Sequence, residues 1–216
     1  MNKTEKLYEL FEKWKKEQVK EKEGNSKIDY QKTTIPVLQV NKNSFTYDGF
    51  VFDGKDNTVL YILAESNLCG NCKANETFWF KSVYKVENNN LKITRRIEKM
   101  QKYICEKFPE LSKTDISYMN VNKRGGFSES GKKNFYNYYE KYKENYIWKE
   151  IEIINPKVIV FCAGVHEIYN DLKDNVHCEY VIEMYHPTYQ FMSDEKYMEK
   201  FKQEFDRLLT VKQNSN

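Results

Sequence analysis

Apolar and polar positions recur along this chain at two different periods, and each change of period marks an element. Leu7, Leu10, Phe11 and Trp14 repeat at helical spacing in residues 1–23, so an amphipathic helix docks by its first half; the interleaved run KKEQVKEKE that follows is a solvated face ending at Gly24-Asn25. Residues 25–57 mix Asn, Asp and Gly with short apolar runs and predict extended chain or a hairpin. Residues 58–64 form an uncharged run, TVLYILA, that fits a strand buried on both faces at the centre of a sheet. Ile93, Ile97, Met100, Ile104 and Phe108 predict a helix stopped by Pro109, and residues 115–121 a second strand. Residues 131–154 carry an aromatic stripe through Phe135, Tyr138, Tyr139, Tyr142 and Tyr146 and predict one long helix. A third strand is expected at 157–164, a helix at 165–172, a fourth strand at 178–185, and a last helix at about 194–209 with Asp194 as its N-cap and a frayed tail, VKQNSN. Strand, helix, strand in succession is the unit of a parallel sheet. The pattern therefore predicts an α/β fold with a mostly parallel four-stranded sheet in a single domain over 1–216: an N-terminal helix (1–24), an extended or hairpin segment (25–57) and an α/β core (58–210).

Composition adds limits. A chain of 216 residues suits one domain and buries about two-thirds or more of its unfolded surface without staples. Thirty-five Lys and Arg against 32 Asp and Glu leave a net charge of +3, so any nucleic-acid surface has to be local. Five cysteines, an odd number, and a polar first hexapeptide imply a reducing, cytoplasmic setting without disulfides. No run approaches the roughly eighteen apolar residues of a membrane span, so no membrane partner is expected.

The candidate chemistry sits where strands end. Glu65 and Asn67 follow the first strand, Asn120 and the pair Lys123-Arg124 close the second, and His186 follows the fourth. Parallel strands present their carboxyl ends on one side, so a carboxylate, a carboxamide and an imidazole can converge there, with Phe78 as an aromatic wall. An amide pairs with a base edge, a ring stacks on its face and cations hold a phosphate, which makes a base-binding pocket.

At His186 these features together resemble the uracil-DNA glycosylase superfamily, most closely its bacterial branch that carries an iron–sulfur cluster. LYILAESN at 60–67 resembles that family's strand and Gly-Glu-x-Pro-Gly turn. ISYMNVNKR at 116–124 resembles its strand ending Thr-Asn-Val-Val-Lys, and YHPTYQF at 185–191 its Tyr-His-Pro-Ser loop. EIEIINPKVIVFCAG at 150–164 is similar to the helix and strand before that loop, and Phe78 lies thirteen residues after Glu65, the family's spacing from acid to stacking ring.

The resemblance spans about 55–210 and implies a three-layer α/β/α domain. It implies catalytic roles for Glu65, which activates the water, and for His186, which stabilises the leaving base. It places Phe78, Asn120 and Asn67 at the base. Lys123 and Arg124 would contact backbone phosphates, and Gln190 or Phe191 would enter the DNA where the nucleotide is flipped out.

Two departures stand out. Ala64 and Asn67 replace the turn's Gly and Pro, and Cys69-Gly70-Asn71-Cys72 lies after the first motif without a second cysteine pair. Neither a cluster nor another metal is expected, and the hydrolysis needs no cofactor. The resemblance implies a monomeric DNA-repair glycosylase that acts on uracil or another modified base in single- or double-stranded DNA. The altered turn leaves open a non-catalytic nucleic-acid module of the same fold, such as a sensor or phage-conflict protein. The small net charge leaves open a protein that processes free nucleotides or nucleosides.

Overall fold

A computed structural model of the protein describes residues 1–20, 45–52, 58–65, 91–123 and 132–214. Helix α1, Lys3–Val19, starts with a reciprocal cap. The Asn2 side chain accepts from the Glu5 amide at 2.9 Å, and the Glu5 carboxylate accepts from the Asn2 amide at 2.8 Å. Its apolar stripe buries Leu7, Leu10, Phe11 and Trp14.

Among the described residues the sheet has five strands in the order β1-β3-β2-β4-β5: β1 is Gly49–Phe50, β2 Val59–Glu65, β3 Ile116–Asn122, β4 Val158–Phe161 and β5 Tyr180–Glu183. Strand β1 runs antiparallel to β3, and every other neighbouring pair is parallel. The expected four-stranded sheet is thus corrected to a mixed five-stranded one. The added edge strand comes from the 25–57 stretch, where two residues are too few to show a period. The uncharged run is β2, the middle strand, as its composition required.

Helices cover both faces. Leu60, Ile62, Met119, Val121, Ile159 and Phe161 point into one core. That core is shared with α1, with α3 (Lys132–Tyr142) and α4 (Trp148–Ile154), and with α5 (His166–Asn175). Val59, Tyr61, Leu63, Tyr118, Val158 and Val160 point into the other, shared with α2 (Lys92–Lys107) and α6 (Asp194–Gln213). The physical reason is handedness. The chain steps from β2 to β3 in one direction and then back across β2 to β4 and β5. Right-handed crossovers in opposite directions put their helices on opposite faces. The reversal leaves a crevice between the carboxyl ends of β2 and β4, where open α/β sheets bind ligands.

Three local expectations change. The long helix is interrupted by a π turn, Lys143–Ile147, which lets both Tyr142 and Tyr146 pack against Trp14. It ends where Asn155 adopts φ 51° ahead of Pro156. The N-cap of α6 is Ser193, whose hydroxyl accepts from the Lys196 amide, and Asp194 is the first helical residue. That helix runs on to Gln213, into the tail expected to fray. Among the described residues no helix is long and apolar enough to cross a membrane.

Candidate functional site

Strand register defines a common rim. Ile62 pairs with Met119 and Phe161, and Phe161 pairs with Glu183. Three residues beyond that line the chain reaches Glu65 and Asn122 at the ends of β2 and β3, and Gly164 and His186 in the segments that follow β4 and β5. Strands β2 and β5 are two steps apart, so the strands that lead to Glu65 and His186 lie roughly 10 Å from one another across the sheet. Gly164, with φ +75° and, its chain neighbours aside, no atom of the described residues within 4 Å of where a Cβ would stand, makes the turn between them.

Glu65 is half-buried, and its Oε1 accepts from Asn122 Nδ2 at 3.0 Å. Sequence reasoning missed Asn122, although the signal was present: Asn120 and Asn122 are two apart on a strand and share a face. Asn120 is fully buried. Its backbone N–H donates to Asp48 Oδ2 at 2.7 Å, and its Nδ2 donates to Asp48 Oδ1 at 3.4 Å. A carboxylate only accepts, so this neighbour fixes which way the amide points. The remaining atom, Asn120 Oδ1, is buried and has no hydrogen-bond partner among the described residues.

Lys123 is not at a surface. Its Nζ lies 2.5 Å from Asp48 Oδ2, 2.9 Å from Glu150 Oε1 and 2.7 Å from Glu150 Oε2, the last close but not aligned for a hydrogen bond. The rings of Phe11 and Trp14 flank it at 5.2 and 5.3 Å, and the Lys123, Asp48 and Glu150 side chains are all fully buried. Burial pushes Glu150 up to about 8, and Asp48 upward as well, against the pull of the lysine charge. The Lys123 ammonium therefore lies between two carboxyls that burial biases toward the protonated form. The expectation that Lys123 contacts a phosphate is corrected on this ground, since two carboxylates and two rings enclose its ammonium.

His186 opens the loop after β5. Its Nδ1 accepts from the Thr188 amide at 3.3 Å and lies 2.7 Å from the Thr188 hydroxyl. A nitrogen that accepts from an N–H carries no proton, so the neutral ring holds its hydrogen on Nε2 as a donor. Desolvation lowers the ring to about 4, which keeps it neutral across the physiological range. Five residues on, Phe191 is 89% exposed. Gln190, also exposed, sits beside it, and Tyr189 touches both Phe191 and Tyr185, stacking on the latter at 4.8 Å.

The loop is held from behind by Arg96, a fully buried residue of α2. Its Nη1 donates to the carbonyls of Pro187 and Tyr189 at 3.1 and 3.0 Å, its Nη2 to that of Met192 at 2.6 Å, and its Nε to Asp194 at 2.8 Å. The guanidinium also lies 4.2 Å from the centre of the Tyr197 ring. One side chain thus ties three carbonyls of a seven-residue loop to a helix N-terminus. The sequence carried a sign of this, because Arg96 falls inside the apolar stripe between Ile93 and Met100, where a charge needs dedicated partners.

The register thus brings Glu65 and His186 to one rim, with Asn120 and Asn122 on the same strand as one another beside Glu65. Phe78, Asn67, Arg124 and the Cys69–Cys72 pair lie outside the described residues. Among the described residues no group of three or more His, Cys, Asp or Glu side chains is disposed to hold a metal ion. A scan against protein-family models and a search of curated proteins find no match to this chain.

Proposed function

We propose that the protein is a monofunctional glycosylase with a three-layer α/β/α fold of the uracil-DNA glycosylase kind, releasing uracil or another modified base from DNA. Glu65, oriented by Asn122, takes a proton from the water that attacks C1′. The bond from C1′ to the base nitrogen breaks, and the base leaves as an anion facing the Nε2–H donor of His186. A neutral imidazole suits this role, because it donates a hydrogen bond without first losing a charge it would need to regain. The observation that carries the reading is the His186–Met192 loop: a neutral donor and an exposed aromatic wedge, five residues apart, on backbone locked by Arg96.

The test is base release from labelled oligonucleotides containing uracil, hypoxanthine or xanthine, or thymine mispaired with guanine, single- and double-stranded, scored by alkaline cleavage. Wild-type release that Glu65→Gln and His186→Ala abolish supports the proposal. Release that survives both substitutions overturns the assigned roles, and no release from any substrate overturns the activity.

One observation favours a second reading. Asn120 is wholly buried and its Nδ2 is committed to Asp48, so only its Oδ1 is left to read a base. A non-cleaving nucleic-acid module of the same fold has less need of that amide, and it is distinguished by DNA binding without base release.

A further inference from the structure

Burial of Lys123 removes one of the two cations that the second strand was expected to supply, and α2 offers others. Lys92, Arg95, Lys99 and Lys102 follow one another at spacings of three, four and three, which places them on one face of the helix along roughly 15 Å. The row begins at the loop of the candidate site. Lys92 Nζ donates to the Tyr189 carbonyl at 2.9 Å, the same carbonyl that Arg96 holds. At its other end, Lys99, Lys102 and Tyr103 line a shallow groove of about 280 Å³ with Lys202 of α6, whose ammonium stands 5.1 Å from the centre of the Tyr103 ring.

Carboxylates are present too. Asp194 lines the groove, but its Oδ1 is taken by buried Arg96 and its Oδ2 by Arg95, with Lys99 at 3.7 Å. With Asp194 balanced by Arg96, and Asp206 beside Lys202 held by Lys107 at 3.0 Å, the row and Lys202 face Glu195 and Glu106 of the groove. Glu98 projects from α2 beside the row. The face keeps a local surplus of positive charge on a chain whose total is +3.

We propose that this face of α2, with Lys202 across the groove, tracks the phosphates of the DNA strand that flanks the extruded nucleotide. Phe191 occupies the gap at the start of the track, and the lysines carry the strand away from it. This deepens the function proposed above and rests on it for the direction of the strand. The contacts are to backbone, so the surface binds without sequence preference and with a steep salt dependence.

The experiment measures binding of a fluorescent, undamaged fifteen-nucleotide oligo-dT between roughly 50 and 200 mM salt, where each phosphate contacted by a single strand adds about 0.7 to the logarithmic salt slope. The variant Lys99→Gln/Lys102→Gln/Lys202→Gln spares the cations that bond the loop. A matched control, Lys6→Gln/Lys13→Gln/Lys16→Gln, removes the same charge from exposed positions of α1. The surface predicts a slope shallower by about 2 for the first triple and unchanged for the second. Equal losses in both triples would mean that only net charge matters, and an unchanged slope in the first would remove the surface; either overturns the proposal. Base release is assayed alongside, so wild-type cleavage with an unaltered slope in the first triple sinks the surface alone. Slope loss without any cleavage sinks the glycosylase reading and leaves a binding surface.

Discussion

Arg96 donates to the carbonyl of Pro187 at 3.1 Å across 91 residues of chain, and that bond is one of three by which a single buried guanidinium shapes the loop of the candidate site. Lysine has one nitrogen and no planar fork, so it reaches at most part of this set. Arg96→Lys should leave buried carbonyls unpaired, destabilise the protein by at least about 2 kcal/mol in urea unfolding, and slow base release on the order of a hundredfold through loop misplacement. Unfolding and release both within twofold of wild type would mean that the loop holds its shape unaided.

The state of His186 predicts a pH profile. Its ring is neutral down to about 4 because burial disfavours the charge, so base release should show no limb near the ordinary histidine value of 6.5. Nitrogen NMR of the ring should report a proton on Nε2 and none on Nδ1 at pH 6. His186→Ala should cost about 10²- to 10³-fold in rate. An activity limb centred near 6.5 that disappears in His186→Ala would contradict the half-buried, neutral assignment.

Glu150 makes stability depend on pH in a stated direction. Its carboxyl titrates at about 8 in the folded protein against an ordinary 4.5, because burial disfavours the charged form, and Asp48 shifts the same way. Folded chains hold the extra proton between those values. The group's contribution is therefore complete below about pH 4.5 and is lost as pH rises through about 8. Glu150→Gln keeps the shape without the proton, so its urea midpoint should gain on that of wild type between pH 6 and pH 9. Parallel curves would show that Glu150 titrates normally.

Lys123→Met removes the only cation from between two buried carboxyls. Asp48 and Glu150 then lose the cation that offsets their burial, and the protein should lose about 3–5 kcal/mol of stability. A loss under about 1 kcal/mol would indicate that water reaches Asp48.

Phe191→Ala should weaken binding of single-stranded oligo-dT about tenfold or more, the size of one lost base–ring stack, while leaving the salt slope as it was. A change in slope with no change in affinity at low salt would assign the ring no stacking partner.

Much of this architecture was legible in the sequence, because burial writes a local period. The uncharged run at 58–64 is β2 with a one-residue offset, and the stripe from Ile93 is α2. The polar breaks at Glu65 and His186 do stand at one rim, which alternation of strand and helix implies. Strand β1 was not legible, since its two residues are a strand only through pairing with β3. Lys123 looked like surface charge beside Arg124, because nothing near it in sequence announces Asp48 or Glu150. Arg96 was visible as a charge in an apolar stripe, but its partners lie 91 to 98 residues away.

The sequence by itself thus determined the order of elements apart from β1, the class of fold and the strand ends where polar chemistry collects, since each follows from which side chains water excludes over a few consecutive residues. The tertiary structure alone decided that Lys123 is a buried counter-ion, that Asn120 is aimed by Asp48, that His186 is neutral and that a row of cations on α2 starts at the loop of the candidate site. Charge state, orientation and accessibility belong to what surrounds a side chain, and those surroundings are assembled from segments that meet only when the chain is folded.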